Sequence, residues 1–490
     1  MNIVDKIINF FSPKHGAERM AWRNAYDTAS FGDRNANWKP PSDVTDTTLA
    51  YERQIALDRA RDLERNTDLA EAIIHALERN IIGQGIRLDG KNEQLNKKFS
   101  DWANDPEQVE LGGRFSFNEL CKLIIRRVIV DGGLIIQKVI PTKREMNRYG
   151  LKIPLILMVR EVDELSSLTT SLNTINGIER DDWGRPTRYH FRNYDPMTGM
   201  YEQVDEIVKA NNIIYLYKPK RATQYRDFTL LAPTNERIRN VNELLDAELV
   251  KSKVNSCFSL AIERQNLLGV GRGNDNRPPN YAKKTLAPGM ILELLPGEAV
   301  KPITPPNSAN QTTEITKLQQ RLAGSGIGLS YELVSRDMSQ SNYSSARQGL
   351  QEDKMTFYDW RNWLKAHFLN KLIKWFTEAS FIEYKEEDCN WFFSGWSWID
   401  PQKEIQANQI ALDSGQTTLA EICSESGQDW QDIIDQRAKE IEYCKQKGIY
   451  LDVSTNVDYM EVQANEVKNG TDKKPANVTN TKASIKKDNK

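Results

Sequence analysis

The chain has 490 residues, of which 39% are hydrophobic and 27% charged, and its mean hydropathy is -0.62. These values exclude an integral membrane protein and argue against a wholly disordered chain, while the length exceeds that of one ordinary domain. The 66 Lys and Arg residues nearly balance the 68 Asp and Glu residues, so the net charge is -2. Any contact with DNA must therefore come from local patches of positive charge.

The cysteines and the N-terminus bear on the compartment. The five cysteines are scattered without a CxxC pair: Cys121, Cys257, Cys389, Cys423 and Cys444. This pattern is typical of buried thiols in a reducing environment. Asp5 and Lys6 interrupt the apolar N-terminal stretch, which predicts a short amphipathic arm rather than a signal peptide. No run approaches the roughly 18 apolar residues that a membrane span needs.

The first half of the chain predicts an α+β fold. Residues 1–50 are predicted to form an N-terminal arm, because tryptophans and prolines stand among polar residues without clean periodicity. Helical spacing of apolar residues predicts helix from Tyr51 to Ile82, with a break at Asn66–Asp68, and a further helix over Phe117–Val130. Short runs of β-branched and aromatic residues predict four strands: Leu134–Ile140, Leu155–Val159, Thr187–Arg192 and Ile213–Tyr217.

The middle of the chain has an unusual order of elements. Behind Pro233, helical periodicity predicts a long helix from Thr234 to Arg264. Residues 265–308 are rich in Pro and Gly, which predicts a compact module of loops and strands. A second helix is predicted from Ser308 to the glycines that begin at Gly324. The chain therefore runs out along one helix, through a small module, and back along another.

The last third begins with a polar segment, Ser335–Ser345, that lacks β-branched residues and is predicted to be mobile. An apolar stripe predicts a long helix from Ala346 to Ala379, and aromatic residues predict that Trp391–Phe393 pairs as a strand with Trp396–Trp398. Capping residues predict three short helices: Asp400–Gly415, Thr418–Gly427 and Asp429–Gly448. Residues 471–490 contain six Lys and two Asp, which predicts a disordered tail.

No arrangement of residues predicts catalysis. The four histidines stand in separate segments without an HExxH-like pairing, and no residue is predicted to be catalytic or to bind a metal or cofactor. The acidic cluster of Glu161, Asp163 and Glu164 could bind a cation, as could the pair Asp181–Asp182. Short acidic runs are more often solvated loops. The glycines from Gly269 to Gly273 match neither of two phosphate-binding motifs, G-x-x-x-x-G-K-[ST] and G-x-G-x-x-G. They favour a flexible loop.

Aromatic and basic residues offer possible DNA contacts. Four aromatic residues lie close together in sequence: Trp391, Phe392, Trp396 and Trp398. They could stack bases, although alternating aromatic residues in a strand are more often core or subunit interface. Five cations could contact phosphates: Lys251, Lys253, Arg264, Arg336 and Arg347. Singly they are ordinary surface charges, and they become important only if many subunits repeat them around a ring.

Four stretches occur in order along the chain: Arg61–Asn66 running into Ile82–Ile86, then Gly328–Val334 followed by Asp337–Ser339 and Asn342–Arg347, then Trp396–Glu404, and finally Gly427–Trp430. Together they resemble the portal proteins of tailed bacteriophages, in particular the phage lambda portal family. The resemblance extends from Tyr51 to Val453, nearly the whole chain.

The resemblance implies an α+β portal fold with wing, stem, clip and crown regions, assembled as a dodecameric ring around a central channel for DNA. Carried over to this sequence, the regions are 51–234 for the first part of the wing, 235–264 for a stem helix, 265–308 for the clip, 309–334 for the returning stem helix, 335–345 for the tunnel loop, 346–400 for the long wing helix with the aromatic strands, 401–460 for C-terminal wing or crown helices, and 461–490 for a disordered Lys-rich tail.

The resemblance also assigns sites. The DNA-facing residues of the tunnel loop would be Arg336, Asp337, Met338, Ser339, Gln340, Ser341, Asn342, Tyr343 and Arg347. Cations of the channel and stem would be Lys251, Lys253 and Arg264. The clip residues that dock the terminase or an adaptor would be Arg272, Asn274, Asp275 and Arg277. No catalytic residue is carried over, since the motor ATPase of this system is a separate terminase protein.

The expected partners are eleven further copies of the chain, double-stranded DNA, the terminase large subunit, the major capsid and scaffolding proteins, and a head-completion or tail adaptor. No cofactor and no membrane are expected. The expected location is the virion, at one capsid vertex, and before that the procapsid in the host cytoplasm. Two alternatives stay open: a metal-dependent nucleic-acid-processing enzyme that uses Asp163 or Asp181, and a head–tail adaptor, which would normally be much shorter.

Overall fold

The computed structural model describes residues 10–12, 45–167, 173–195, 197, 200–256, 260–264, 298–302, 309–339, 343–383, 389–396, 401–425 and 430–448. The chain divides into two compact units, Met1–Ser397 and Trp398–Lys490, and has a mixed α+β fold. Most of the predicted N-terminal arm and the whole predicted tail lie outside the described residues. Among the described helices, none combines the length and apolar character needed to cross a bilayer.

The first unit begins with six helices and strands that build most of its core. They are α1 (Thr45–Asn66), α2 (Asp68–Ile81), β1 (Ile86–Gly90), α3 (Glu93–Ala103), α4 (Pro106–Val109) and α5 (Phe117–Val130). The predicted break between the first two helices is confirmed, because Thr67 leaves helical geometry there. The helix predicted over Phe117–Val130 is also confirmed, and Ser116 with Glu119 forms a capping box at its start.

Two antiparallel sheets follow. Their strands are β2 (Gly133–Val139), β3 (Ile156–Arg160), β4 (Thr174–Ile175), β5 (Ile178–Arg180), β6 (Pro186–Asp195), β7 (Met200–Lys209) and β8 (Ile213–Tyr217). A short helix, α6 (Lys143–Tyr149), lies between β2 and β3 in the chain. One sheet has the order β3-β2-β8 and the other the order β4-β5-β6-β7. The four predicted strands are present, but β7 and α6 were not predicted, because both are rich in charged residues and show no clear apolar period.

The middle of the first unit is a helical hairpin. Helix α7 (Asn235–Ser256) leads to strand β9 (Leu260–Arg264), which pairs antiparallel with β10 (Glu298–Pro302), and helix α8 (Ala309–Ser325) returns. The prediction of continuous helix from Thr234 to Arg264 is therefore wrong over its last residues. Strand β9 forms because its backbone hydrogen bonds are met by β10, which lies more than 30 residues further along the chain. The periodicity of apolar residues within one segment carries no information about a strand so far along the chain.

The first unit ends with helices α9 (Tyr331–Ser335), α10 (Tyr343–Leu364) and α11 (Asn370–Ser380), and with strand β11 (Cys389–Phe393). A short π-helical turn, Lys365–Leu369, joins α10 to α11, so the long helix predicted over Ala346–Ala379 is confirmed. The predicted pairing of the aromatic strands is wrong. Strand β11 pairs with β1, with Trp391 opposite Leu88, whereas Ser397 and Trp398 lie outside the described residues.

The core of the first unit lies where α2, α5 and the long helix meet. Aromatic rings fill its centre, with Phe99 in edge-to-face contact with Phe117, Phe376 and Trp391 at centroid distances of 5.2 to 5.5 Å. A smaller core lies between the two sheets and contains Ile135 and Phe191. The buried face of the long helix therefore packs against α2 and α5 of the same chain.

The second unit contains α12 (Pro401–Asp413), α13 (Leu419–Glu425) and α14 (Trp430–Lys447). The three predicted helices are present, and Thr418 with Glu421 forms the predicted capping box at the start of α13. Many large apolar side chains of these helices are exposed: Ile405, Ile410, Leu412, Leu419, Trp430, Ile434 and Tyr443.

Candidate functional site

Helices α7 and α8 lie side by side and antiparallel. Near the body of the unit, Arg237 Nη1 donates to Gln319 Oε1 at 3.3 Å. Further out, Thr312 Oγ1 donates to Glu248 Oε2 at 3.5 Å. Because one helix rises while the other descends, this hairpin carries the β9–β10 strand pair at its outer end. The outgoing and returning helices are present as predicted, and of the module between them the structure describes the strands β9 and β10.

The apolar residues of the hairpin change from buried to exposed along its length. Ile238 and Val241 of α7 and Ala323 of α8 are buried in the main core. Six other apolar residues of the hairpin are exposed: Leu245, Leu249, Val250, Ile315, Leu318 and Leu322. Two helices that pack only on each other cannot cover apolar residues distributed this widely around both. The outer hairpin therefore leaves apolar surface uncovered in the single chain.

The predicted stem cations differ in their surroundings. Lys251 Nζ lies 3.2 Å from Glu248 Oε1, one turn earlier on the same helix, so its charge is largely compensated. Lys253 is exposed on α7. Arg264 is not at the end of a helix but in β9, where it stands opposite Glu298 in the antiparallel register. The structure thus brings Lys251 and Lys253 onto one helix and separates Arg264 from them.

The predicted tunnel loop is partly ordered around Asp337. Its carboxylate accepts hydrogen bonds from the N–H of Ser339 at 3.0 Å and from the hydroxyl of Tyr331 at 3.3 Å. Hydrogen bonds from Ser339 lower the pKa of Asp337, which keeps the carboxylate ionised. Arg336 ends α9 with a φ of 57°, in the left-handed region. The four residues from Arg336 to Ser339 are more organised than their composition predicts.

The rest of the predicted loop is only partly covered. Gln340, Ser341 and Asn342 lie outside the described residues, and Tyr343 is the first residue of α10. Arg347 is exposed on the first turns of that helix. The predicted clip residues Arg272, Asn274, Asp275 and Arg277 all lie outside the described residues, as do the glycines of 269–273.

A clamp that the sequence did not reveal holds the segment before the loop. Ser330 donates its N–H to Asp353 Oδ1 at 2.7 Å and its hydroxyl to Asp353 Oδ2 at 2.6 Å. One turn further along α10, Thr356 Oγ1 donates to the carbonyl of Gly328 at 2.9 Å. Gly328 has a φ of 82°, which only glycine adopts freely. This clamp fixes the end of the returning helix to the long helix. The sequence did not predict this clamp, because Asp353 is one polar residue among many on the long helix.

The acidic residues considered as metal ligands are used in ion pairs and turns. Arg61 Nη2 contacts Asp163 at 2.6 Å and Glu161 at 3.3 Å, and Arg160 contacts Glu164 at 2.9 Å. The carboxylate of Asp181 accepts two backbone N–H groups of its own turn. Within the described ranges, no group of three or more His, Cys, Asp or Glu side chains is placed to hold a metal ion.

Of the four aromatic residues considered for base stacking, Trp391 and Trp396 belong to the core or pack against it, and Trp398 lies outside the described residues. Trp391 is buried against Phe99 and Phe117, and the ring of Trp396 packs edge-on against Tyr358 at 5.2 Å. Phe392 follows Trp391 on β11, where it stands opposite Arg87 of β1. Because Trp391 and Trp396 are committed to packing, these two rings are not available to nucleic acid.

Comparison with known proteins gives one consistent family. A profile of the family described as phage portal protein, lambda family, matches residues 31–361. The chain is 22% identical to a probable portal protein of Halomonas phage phiHAP-1, over 85% of this chain and 86% of that protein. It is 21% identical to portal protein B of Escherichia phage lambda, over 84% of this chain and 88% of that protein.

Among solved structures, the chain is similar to one in the neck of an empty gene transfer agent particle, with a TM-score of 0.48 and 13% identity over 75% of this chain and 93% of that chain. The profile covers more than half of the 490 residues, including both helices of the hairpin and the clamp at Ser330. The chain therefore belongs to the lambda family of phage portal proteins, which are structural, non-enzymatic components of the virion that stand at the capsid vertex and serve in DNA packaging.

Proposed function

We propose that this chain forms a closed homo-dodecameric ring whose central channel passes double-stranded DNA during packaging and ejection. The ring would also dock the terminase large subunit and, later, a head-completion or tail adaptor. It would contact the major capsid and scaffolding proteins from the wing. The copy number and these partners are what membership of the family implies, and the hairpin of α7 and α8 supports the ring itself.

The exposed apolar residues of the hairpin carry the proposal. Each copy contributes Leu245 and Leu249 on α7 and Ile315 and Leu318 on α8, and all four are more than two-fifths exposed in the single chain. Burial of one such side chain contributes about 1.5–3 kcal/mol. Repeated around a ring, the hairpins would cover one another, and a closed circle leaves no uncovered copy at an end.

The charges of the hairpin fit a channel through which DNA slides. Lys251 pairs with Glu248, and Arg239 pairs with Glu243 at 2.8 Å on the same helix. Each phosphate that a protein neutralises adds affinity through release of counterions, so many unpaired cations in a ring would hold DNA in place. Cations that already have acidic partners, in a chain of net charge -2, favour weak contact and free movement.

Imaging and mass measurement of the purified full chain test the ring. Negative-stain electron microscopy is expected to show rings with a central hole, and mass photometry is expected to show a single large species. Leu318→Asp should break the rings into smaller species, whereas the matched change Glu314→Gln, at an exposed polar site of the same helix, should leave them intact. A compact single-copy particle of the wild type at every concentration and salt tested would overturn the proposal.

A further inference from the structure

The turn between β5 and β6 presents a fully projecting tryptophan. Trp183 is 89% exposed, the most exposed tryptophan among the described residues. An exposed indole ring places a large apolar surface in water at a considerable cost in free energy. Buried tryptophans at the centre of interfaces are among the residues that contribute most to binding. Trp183 is therefore a candidate anchor residue for a protein–protein contact.

The turn that carries Trp183 is rigid. Asp181 Oδ1 accepts hydrogen bonds from the N–H of Trp183 at 2.9 Å and of Arg185 at 2.7 Å. Gly184 has a φ of 78°, and a Cβ atom there would lie 2.7 Å from the hydroxyl of Tyr225. The guanidinium of Arg180 stacks over the ring of Tyr225 at 4.0 Å. A side chain held on such a turn loses little further entropy when it binds.

A groove lies beside the other sheet of the same unit. Its volume is about 680 Å³, within the range of pockets that enclose small molecules, so it can take an indole ring. Apolar side chains from α6, from the ends of β2 and β3 and from nearby loops line most of it: Leu111, Val139, Pro141, Tyr149, Leu151 and Ile156. Leu111 and Tyr149 are more than half exposed, so the groove as it stands leaves apolar surface in contact with water.

The charges beside Trp183 and beside the groove are complementary. Asp182 and the guanidinium of Arg185 flank the tryptophan and are exposed. Arg148 and Glu107 line the groove, as does Glu145, whose carboxylate accepts hydrogen bonds from Thr142 at the start of α6. Among the described residues, Asp182, Arg185, Arg148 and Glu107 form no ion pair. A tryptophan entering the groove could therefore bring Asp182 to Arg148 and Arg185 to Glu107, which would favour one orientation.

The groove and the Trp183 turn of one chain lie at opposite ends of strand β3. The groove is at the start of β3, at Ile156. At the other end, Arg160 is joined to the sheet that carries Trp183 through its ion pair with Glu206 at 2.6 Å. Strand β3 alone spans about 16 Å. The tryptophan cannot reach its own groove, so the fitting occupant is the Trp183 turn of a second copy.

We propose that in the assembled protein the Trp183 turn of each copy inserts into the groove of the adjacent copy. This contact joins two different patches, and contacts of that kind generate closed rings when the rotation between copies closes. The inference rests on the proposed ring, to which it adds a specific contact between wings. It places apolar anchors on one side of each copy and receptor grooves on the other.

Site-specific photo-crosslinking tests the contact. The full chain is prepared with p-benzoylphenylalanine in place of Trp183, assembled and irradiated. Mass spectrometry is expected to find crosslinks between copies that fall on residues 107–113 and 148–156. The matched control carries the same photoreactive residue in place of Met197, which is 92% exposed at another turn, and its crosslinks should not fall on the groove. Crosslinks from position 183 that miss the groove while rings are present would overturn the inference and leave the proposed ring standing.

A charge exchange provides a second, independent test. Asp182→Arg and Arg148→Asp are each expected to raise the protein concentration needed for assembly by about tenfold. The double variant, which restores opposite charges across the contact, should assemble nearly as well as the wild type. Assembly of both single variants at the wild-type concentration, or no recovery in the double variant, would contradict the contact. If the wild type forms no ring at all, the proposed function fails instead, and no crosslink between copies is expected.

Discussion

At the scale of single residues, Arg361 shows how a buried cation can stabilise the fold without a carboxylate. Its guanidinium donates to the carbonyls of Ile81 at 2.8 Å, Asn80 at 3.0 Å and Ser394 at 2.8 Å, and lies 4.1 Å from the ring centre of Trp396. Burial lowers its pKa to about 10, which still leaves it charged at neutral pH. It caps the C-terminal end of α2, where the helix dipole favours a cation.

Replacing Arg361 by lysine tests this role. Arg361→Lys keeps the charge but loses the planar fork that reaches three carbonyls at once, so buried acceptors lose their partners. We expect a loss of about 2–3 kcal/mol in the free energy of unfolding, read as a lower melting temperature. The matched change Arg239→Lys, at an exposed ion pair, should alter stability by less than about 0.5 kcal/mol. Equal effects of the two changes would contradict the capping role.

Glu110 predicts a dependence of stability on pH. Burial by itself raises the pKa of this carboxyl, but hydrogen bonds from the Arg114 side chain and from the N–H groups of Arg114 and Gly112 outweigh it and lower the pKa below its ordinary value of 4.5. A carboxyl with a lowered pKa in the folded state stabilises the protein above its ordinary pKa. That stability is lost as the pH falls through the pKa of the folded state.

The measurement compares Glu110→Gln with the wild type. At pH 7 the variant should melt at a lower temperature, because the charged pair with Arg114 at 3.0 Å is gone. Below pH 4.5 the difference between the two melting temperatures should shrink, since the wild-type carboxyl becomes protonated. A difference that stays constant from pH 7 to pH 3.5 would contradict the assignment.

At the scale of elements, hydrogen bonds fix the junction between α8 and the long helix. Asp353 and Thr356 clamp Ser330 and Gly328, and Asp337 organises the next residues by hydrogen bonds. The tunnel-loop assignment of 335–345 stays a prediction. Neither Met338 nor Ser339, the two described residues that follow Asp337 in the loop, belongs to the main core.

Shortening the loop separates its role from that of the clamp. Deletion of residues from Met338 to Tyr343 should leave ring assembly intact and impair DNA packaging or retention, because the loop is mostly polar in sequence and is not expected to support the core. A variant of the same length, with Gly or Ser in place of Gln340, Ser341 and Asn342, should retain more packaging than the deletion. Ring formation is measured by mass photometry and packaging by nuclease protection. Loss of soluble rings on deletion would show that the loop is structural.

At the scale of the whole molecule, the segment between β9 and β10 is the proposed docking site for other proteins of the packaging system. The strand pair brings the two ends of this segment together, since Arg264 stands opposite Glu298. The clip limits of 265–308 stay a prediction; strand β9 ends just before the first limit, and β10 lies within the predicted clip.

Two arginines of this segment provide the test. Arg272→Ala combined with Arg277→Ala should weaken binding of the terminase large subunit or the adaptor by about fivefold or more, because charges at an interface contribute to association. Ring formation should change much less. Lys473→Ala with Lys474→Ala removes the same charge from the predicted tail and serves as the control. Unchanged docking, measured by surface plasmon resonance, would show that the clip is elsewhere.

The sequence alone determined the elements whose signals are local. The helix over Phe117–Val130, the break at Thr67 and the long helix after the tunnel loop follow from apolar spacing and caps, which act within a few residues. The order of short motifs likewise placed the chain in its family, which the profile over residues 31–361 confirms.

The tertiary structure alone decided every feature that depends on a distant partner. Strand β11 pairs with β1 across some 300 residues, and β9 exists because β10 completes its hydrogen bonds. The exposure of Trp183, the groove beside Arg148 and the clamp of Asp353 on Ser330 depend likewise on what the folded chain brings near or leaves uncovered. Local sequence reports what a segment prefers, whereas burial and pairing are properties of the whole arrangement.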